Sequence, residues 1–317
     1  MTQTPLPNRF RTATETLTGT SPDPGAPLGL AVSGGPDSLA LLALAAEAYP
    51  GAVAAATVDH KLRPEAADEA EHVTALCRRL GVPHTVLTPD RPITGNIQSA
   101  GRTARYTLLD GWRGREKLRW VATAHHADDQ LETILMRLMR GSGVDGLSAI
   151  RPINGAIIRP LLGVRKRELV AYIEGLGIDA VTDPSNEDIA FDRVRLREGL
   201  QGFPDFTPHL ISRSADALRE AGQALHWVCA REAEDHIERR DEAILLTRTD
   251  YPREIVRRLV IACLDGVDSG HAARGPALDQ LIETLARGKK GMIGKILCEP
   301  QEPGIWRFSK APPRKTG

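Results

Sequence analysis

The stretch Gly29-Leu30-Ala31-Val32-Ser33-Gly34-Gly35-Pro36-Asp37-Ser38-Leu39-Ala40-Leu41 decides the fold. Leu28 to Val32 is a small apolar run and predicts a strand. Ser33 to Ser38 predicts a tight loop. Leu39 to Ala48 is rich in Ala and Leu without a breaker and predicts a helix. A strand feeding a glycine-rich loop and then a helix turns backbone N–H groups toward one point, where an anion can sit. Gly34 and Gly35 let the backbone approach that anion, and Pro36 suits the first helical turn. Ser33 and Ser38 add hydroxyl donors. Asp37 makes sense here if a divalent cation accompanies a phosphate, or if the acid offsets the helix dipole. The lysine of a GxxxxGK[ST] loop is missing. An ordinary βα turn would use the same residue types.

Around this stretch the chain runs to 317 residues, enough for two domains and a substantial core. The 41 basic and 41 acidic residues balance, which argues against nonspecific nucleic-acid binding while leaving room for a local basic face. Cys77, Cys229, Cys263 and Cys298 form no CxxC pair, so neither a zinc site nor a redox dithiol is suggested. Scattered cysteines, no signal-peptide pattern and no membrane-length apolar run lead to the expectation of a cytoplasmic protein.

Strand and helix signals alternate after the loop. Strands are expected at Ala52 to Val58, His84 to Leu87 and Trp120 to Ala124. Helices are expected at Glu65 to Leu80, Arg102 to Leu118 and Ala127 to Arg140, with Thr94 to Gly101 a polar loop. This predicts a parallel sheet. Beyond Gly202-Phe203-Pro204, Pro208 to Arg240 reads as one long charged helical stretch. Short strands are expected at Ala243 to Thr247, Met292 to Cys298 and Ile305 to Phe308. The expected organisation is an N-terminal tail and linker over 1–27, with a short helix at Arg9 to Leu17, a catalytic α/β domain over 28–205, and a smaller, mainly helical domain over 206–317.

Three expected strand ends carry polar clusters: the Ser33 to Ser38 loop, Asp59-His60-Lys61-Leu62-Arg63, and His125-His126-Ala127-Asp128-Asp129-Gln130-Leu131-Glu132-Thr133. Open α/β sheets bind ligands at the carboxyl ends of their strands, so three such ends point to one shared site. Asp129 and Glu132 share a helical face, as do Asp128 and Glu132. Acids in a first turn also stabilise the helix dipole, by a few tenths to about 1 kcal/mol each. The functional reading is a carboxylate pair holding a cation, either a metal or an ammonium. No third ligand at metal-binding spacing accompanies His125 or His126. Arg102 and Arg105 share a helical face, and Arg193, Arg195 and Arg197 form a second basic strip. Solvated surface explains most such runs, but arginine beside a phosphate loop fits phosphate well.

Ser33-Gly34-Gly35-Pro36-Asp37-Ser38 resembles the SGGxDS signature of the ATP pyrophosphatase (PP-loop) superfamily. That resemblance implies a doubly wound parallel sheet of the adenine nucleotide alpha hydrolase-like type, using ATP with Mg2+ carried by the nucleotide near Asp37 rather than in a fixed protein site. Asp59 to Arg63, Arg102 to Tyr106, Ala124 to Thr133, Arg140-Gly141-Ser142-Gly143, Arg159-Pro160-Leu161-Leu162 and Asp183-Pro184-Ser185-Asn186 resemble, in order, the motifs of the tRNA(Ile)-lysidine synthetase family. Lys61 stands where that family often has Gly, and Val194 where Asn is usual. The resemblance implies a ligase joining the ε-amine of free L-lysine to the 2-carbonyl carbon of the wobble cytidine in the CAU-anticodon isoleucine tRNA, after ATP has adenylated that oxygen. It implies ATP binding by Ser33, Gly34, Gly35, Pro36, Asp37, Ser38, Asp59, His60 and Arg105. It implies lysine binding by His125, Asp129 and Glu132, tRNA binding by Arg193, Arg195 and Arg197, and catalysis by Asp37, Arg105, His125, Asp129 and Glu132. A homodimer stays open as an assembly. The alternatives are another PP-loop tRNA-modifying enzyme, such as a tRNA thiolase, and a catalytically inactive nucleotide-binding protein.

Overall fold

The computed structural model describes residues 4–61, 65–89, 97–148, 150–180, 196, 199, 207–271, 273 and 275–312. The chain divides into two packed units, Met1–Gly141 with Gly146–Asp216, and Ser142–Asp145 with Ala217–Gly317.

The first unit begins with α1 (Leu6–Thr18), β1 (Leu28–Ala31), α2 (Pro36–Ala48), β2 (Val53–Val58), α3 (Glu65–Arg79) and β3 (His84–Leu87). It continues with α4 (Ile97–Arg115), β4 (Val121–Ala122), α5 (Ala127–Met139), the short α6 (Val144–Leu147, shared with the second unit), β5 (Ile153–Asn154), β6 (Ile157–Ile158) and α7 (Lys166–Gly175). The strand order is β3-β2-β1-β4-β6-β5. All neighbours are parallel except the β5–β6 pair. From β1 the chain winds outward through β2 and β3, then crosses back to the other side of β1 for β4. The reversal leaves a crevice between the carboxyl ends of β1 and β4, where doubly wound sheets hold ligands.

Packing explains the layers. Residues Leu39 to Ala45 of α2 are all buried, as expected of a helix apolar on every side. They share one core with Phe10 of α1, Val73, Leu76 and Cys77 of α3, and Leu169 and Ile173 of α7. The opposite face packs Leu109 and Trp112 of α4 on Ala31, Ala56 and Val121. Gly29 makes this second contact possible. A Cβ there would lie 2.9 Å from Leu118 Cδ1 and 3.1 Å from both Trp112 Cζ3 and Val121 Cγ2.

The short helix expected at Arg9 to Leu17 is α1, which runs from Leu6 to Thr18 and buries Phe10 completely, a contribution of about 1.5–3 kcal/mol. Helix α4 starts at Ile97, inside the stretch expected to be loop, since Ile97 to Gly101 contains no helix breaker beyond Gly101 itself.

The second unit takes in most of α8 (Pro208–His236), then β7 (Ile237–Arg240), β8 (Ala243–Leu246), α9 (Arg253–Val267), α10 (Pro276–Ala286), β9 (Gly291–Ile293), β10 (Ile296–Glu302) and β11 (Ile305–Lys310). The expected boundary at 205/206 lies before this division. The five strands form an antiparallel sheet ordered β7-β8-β11-β10-β9. Leu259, Cys263, Leu278 and Leu285 from the helices pack with Leu246, Ile296, Cys298 and Phe308 from the sheet. The helical stretch expected to reach Arg240 therefore stops at His236. Asp241, at φ 53°, turns the chain so that Ile237 to Arg240 pairs with β8. All four cysteines are buried thiols. Burial pushes the Cys77, Cys263 and Cys298 thiols up to about 12, with Cys298 adding to the effect on Cys263 and Glu299 to that on Cys298.

Candidate active site

The glycine loop leaves β1 and enters α2 with Gly35 at the N-cap and Pro36 in the first turn. Gly34 has φ 84°, a conformation that a side chain would strain. The Ser38 hydroxyl is turned inward: it accepts from Ser33 N (3.1 Å) and donates to Gly35 O (2.9 Å), and Ser33 Oγ lies 3.3 Å from it. Ser38 therefore braces the loop from within. Among the described residues nothing accepts from the N–H of Gly34 or Gly35, and a Cβ at Gly35 would meet no atom within 4 Å. Open space, backbone donors and the positive end of α2 together suit a phosphate.

The second strand end that bounds the crevice follows β4. His126 caps α5: its Nδ1 accepts from Asp129 N (3.4 Å), and Asp129 Oδ2 accepts from His126 N (3.0 Å). His126 is 2% exposed. Its Nε2 lies 3.5 Å from Asp37 Oδ2 and 3.6 Å from Asp129 Oδ2, and its Nδ1 lies 3.7 Å from Asp128 Oδ2. Burial opposes a charged His126, but the bond to Asp37 and the charges of Asp129, Asp37 and Asp128 prevail and raise its pKa above the ordinary imidazole value. The imidazole thus ties the acid of the glycine loop to the acids of α5. The sequence weighs His126 only as a metal ligand and gives it no role at the site; the His-x-x-Asp pattern at a helix start is the signal for its cap.

The acids of α5 do different things. Asp128 accepts from Lys166 N (2.8 Å), with Arg165 Nε 3.3 Å away, and so anchors the start of α7. Asp129 closes the capping box. Glu132 is one turn further on and 4% exposed. Between them Gln130 grips the backbone of Ile150 at both N (2.7 Å) and O (3.1 Å).

His125 has the opposite character to His126. Its Nδ1 is 2.9 Å from Thr123 Oγ1. Burial pushes its pKa down to about 4; Asp129 opposes this, while Arg159, Arg105 and Arg102 add to the lowering. His125 is neutral near pH 7 and borders a cationic side, whereas His126 borders an anionic one. Asp129 acts on both rings, so the two sides belong to one site.

The β2 end contributes Asp59 and His60. Asp59 Oδ1 accepts from Lys61 N (2.8 Å), and Lys61 sits at φ 53°. The turn keeps a glycine-type backbone without a glycine. Burial and then Arg105 lower the His60 pKa, with Asp59 opposing, and His60 Nδ1 is buried without a hydrogen-bond partner. Arg105, on α4, has its own pKa lowered by burial; Tyr106 opposes and Arg102 adds to the lowering. Among the described residues no carboxylate pairs with Arg105. Arg102 Cζ stacks 5.2 Å from the Tyr106 ring centroid.

Ser33 to Ser38, Asp59, His60 and His125 thus stand at the carboxyl ends of β1, β2 and β4 and the α2 start, Asp129 and Glu132 on α5, and Arg105 on α4, which follows β3, close enough to His60 to act on it. Arg193, Arg195 and Arg197 lie outside the described residues. In the second unit Arg240 pairs with Glu238, Arg257 lies near Asp279 and Glu254, and Arg258 pairs with Asp145 and Glu254. Arg231 stacks on the exposed Trp227 ring, 5.0 Å from its centroid.

The PP-loop domain family matches residues 9–202. The tRNA(Ile)-lysidine synthase of Zymomonas mobilis is 42% identical over 298 residues, covering 91% of this chain and 89% of that protein. The enzyme of the same name from Novosphingobium aromaticivorans is 38% identical over 316 residues, covering 98% and 95%. Among solved structures, the U34-tRNA thiolase NcsA from Methanococcus maripaludis superposes with a TM-score of 0.54 at 19% identity, covering 67% of this chain and 78% of that one; this likeness is one of fold alone. With a PP-loop domain over most of its length and relatives aligned nearly end to end, the chain belongs to the tRNA(Ile)-lysidine synthase family.

Proposed function

We propose that the chain joins free L-lysine to the 2-carbonyl carbon of the wobble cytidine in a CAU-anticodon isoleucine tRNA, consuming ATP and releasing AMP and pyrophosphate. The observation that carries this reading is the contact through His126 between Asp37 of the glycine loop and the acids of α5. It joins a phosphate cradle to an ammonium-binding set, as a reaction between a nucleotide and an amine requires.

The cytidine carbonyl oxygen is a very poor leaving group. Attack of that oxygen on the α-phosphorus of ATP converts it to AMP, and pyrophosphate departs. The N–H groups of Gly34 and Gly35 and the α2 N-terminus receive the departing charge, and Arg105 neutralises phosphate from the β2 side. Asp37 would hold the Mg2+ that the triphosphate carries, and the ion would offset phosphate charge. A single carboxylate at the glycine loop suits an ion borne by the nucleotide.

The lysine ε-amine, with a free pKa near 10.4, must attack as a neutral base. Asp129 and Glu132 hold the ammonium and draw off its proton, and neutral His125 orients it by hydrogen bonding. Amine attack at C2 then expels AMP. The base must leave its stack to reach the crevice, which costs little in an anticodon loop. Arg193, Arg195 and Arg197 fit contact with the tRNA backbone. Among the described residues no helix is long and apolar enough to cross a membrane. The four thiols are buried and shifted away from thiolate, so none is poised to carry sulfur in a thiolation reaction.

Incubation with ATP, labelled lysine and a transcript bearing a CAU anticodon tests the reading. Covalent label in the RNA, dependent on ATP, is the expected result. Pyrophosphate release that is indifferent to lysine, or no turnover, would overturn it.

A further inference from the structure

A fourth strand end reaches the same edge. Strand β6 runs parallel to β4, with Ala122 opposite Ile158, and Thr123 N donates to Ile158 O (3.0 Å). The next residue is Arg159, which emerges beside the β4 exit that carries Thr123 and His125. Its side chain is only 5% exposed. One guanidinium nitrogen, Nη1, donates to Arg151 O (2.6 Å), while Nε is buried without a hydrogen-bond partner. Among the described residues no carboxylate pairs with Arg159.

Burying a cationic fork with a donor unused is costly, and an oxyanion in front of it would recover that cost. Arg159 is among the charges that lower the His125 pKa, with Arg105 and Arg102. The triphosphate is a poor candidate for this oxyanion. Its cradle follows β1, two strands away and thus about 10 Å distant at ordinary strand spacing. Arg105, on the β2 side beside His60, already serves that end of the crevice.

We infer that Arg159 binds the α-carboxylate of the amino-acid substrate. This rests on the proposed function above. With the ε-amine held at Asp129 and Glu132 and oriented by His125, the carboxylate lies at the far end of a four-carbon stem, which can reach across to the neighbouring β6 strand end that carries Arg159. The site then reads both ends of lysine. Acids take the reacting amine, and a buried arginine takes the group that a simple diamine lacks. An Arg159 that only supported the Arg151 carbonyl would give no preference between the two.

The test compares lysine with 1,5-diaminopentane, which has no carboxylate, and with lysinamide, whose carboxylate is blocked. Substrates are tested on the full-length chain, with ATP–pyrophosphate exchange measured in parallel. The intact enzyme should favour lysine over both on the order of 100-fold in kcat/KM, as expected for one charge-assisted bidentate contact. Arg159→Gln should raise the lysine KM by a similar factor. It should leave the ATP KM, the exchange rate and diaminopentane use unchanged, and Arg159→Lys should fall between. Equal losses for lysine and diaminopentane would mean a structural strut and overturn the inference. A raised ATP KM with weakened exchange would mean a phosphate ligand and also overturn it. Should Arg159→Gln not fold, the intact enzyme still decides: equal use of lysine and lysinamide refutes carboxylate recognition. An enzyme forming no lysine-dependent product fails the proposed function instead, so the two failures are distinct.

Discussion

Replacing His125 with Gln should flatten the acid limb of stability. An unfolded chain protonates this imidazole near pH 6.5, whereas the folded site delays protonation to about 4, mainly through burial and against the pull of Asp129. Between those values the unfolded state binds the extra proton, so stability falls as pH falls. Linkage gives a loss of about 2 kcal/mol at pH 5 and about 3 kcal/mol at pH 4 from this residue alone. His126 has the opposite sign, because its raised pKa favours the folded state as it protonates, but it is present in both proteins and cancels from the comparison. His84, lowered by burial, cancels likewise. Amide exchange of Leu30 and Ala122, in the central strands, reports the opening free energy of this unit. The gap between the parent and His125→Gln should shift in favour of the variant by about 2 to 3 kcal/mol on going from pH 7 to about pH 4. A gap that stays constant over that range would refute a buried, neutral His125.

Lys61→Gly should stabilise the fold by about 1 kcal/mol in urea unfolding, because Lys61 is held at positive φ; destabilisation would show that the lysine side chain compensates. Gly29→Ala should lower stability by about 1–3 kcal/mol, since its Cβ would press on Leu118, Trp112 and Val121, and a thermal shift below 1 °C would contradict that packing. Asp37→Ala should abolish ATP–pyrophosphate exchange in the presence of tRNA, and exchange at the normal rate would remove Asp37 from the first step. Glu132→Ala should retain ATP binding but lose lysine transfer; normal lysine-dependent turnover would remove Glu132 from the second.

What was legible in the sequence was local. Strand β1, the glycine loop and α2 are continuous in the chain, and their apolar runs and breakers mark them. The start of α5 was legible from its acids. The site as a single crevice followed from the rule that ligands sit at strand ends. His126 and Arg159 were harder to see because their meaning depends on partners from other strands: Asp37 for the first, and the β4 exit for the second. Asp128 looked like its neighbours in sequence, and only the position of α7 separates its anchoring role from theirs. Strand β7 was hidden because Ile-Glu-Arg-Arg continues a charged helical pattern, and only pairing with β8 makes it a strand.

The buried thiols make this chain a quiet background for site-specific labelling. With Cys77, Cys263 and Cys298 pushed up to about 12 and Cys229 shifted in the same direction, maleimide dyes at neutral pH should pass over all four. A single cysteine engineered at an exposed position such as Met292 would then carry the whole fluorescent signal. Arrival and release of tRNA could be followed in real time without first stripping the protein of its native sulfur.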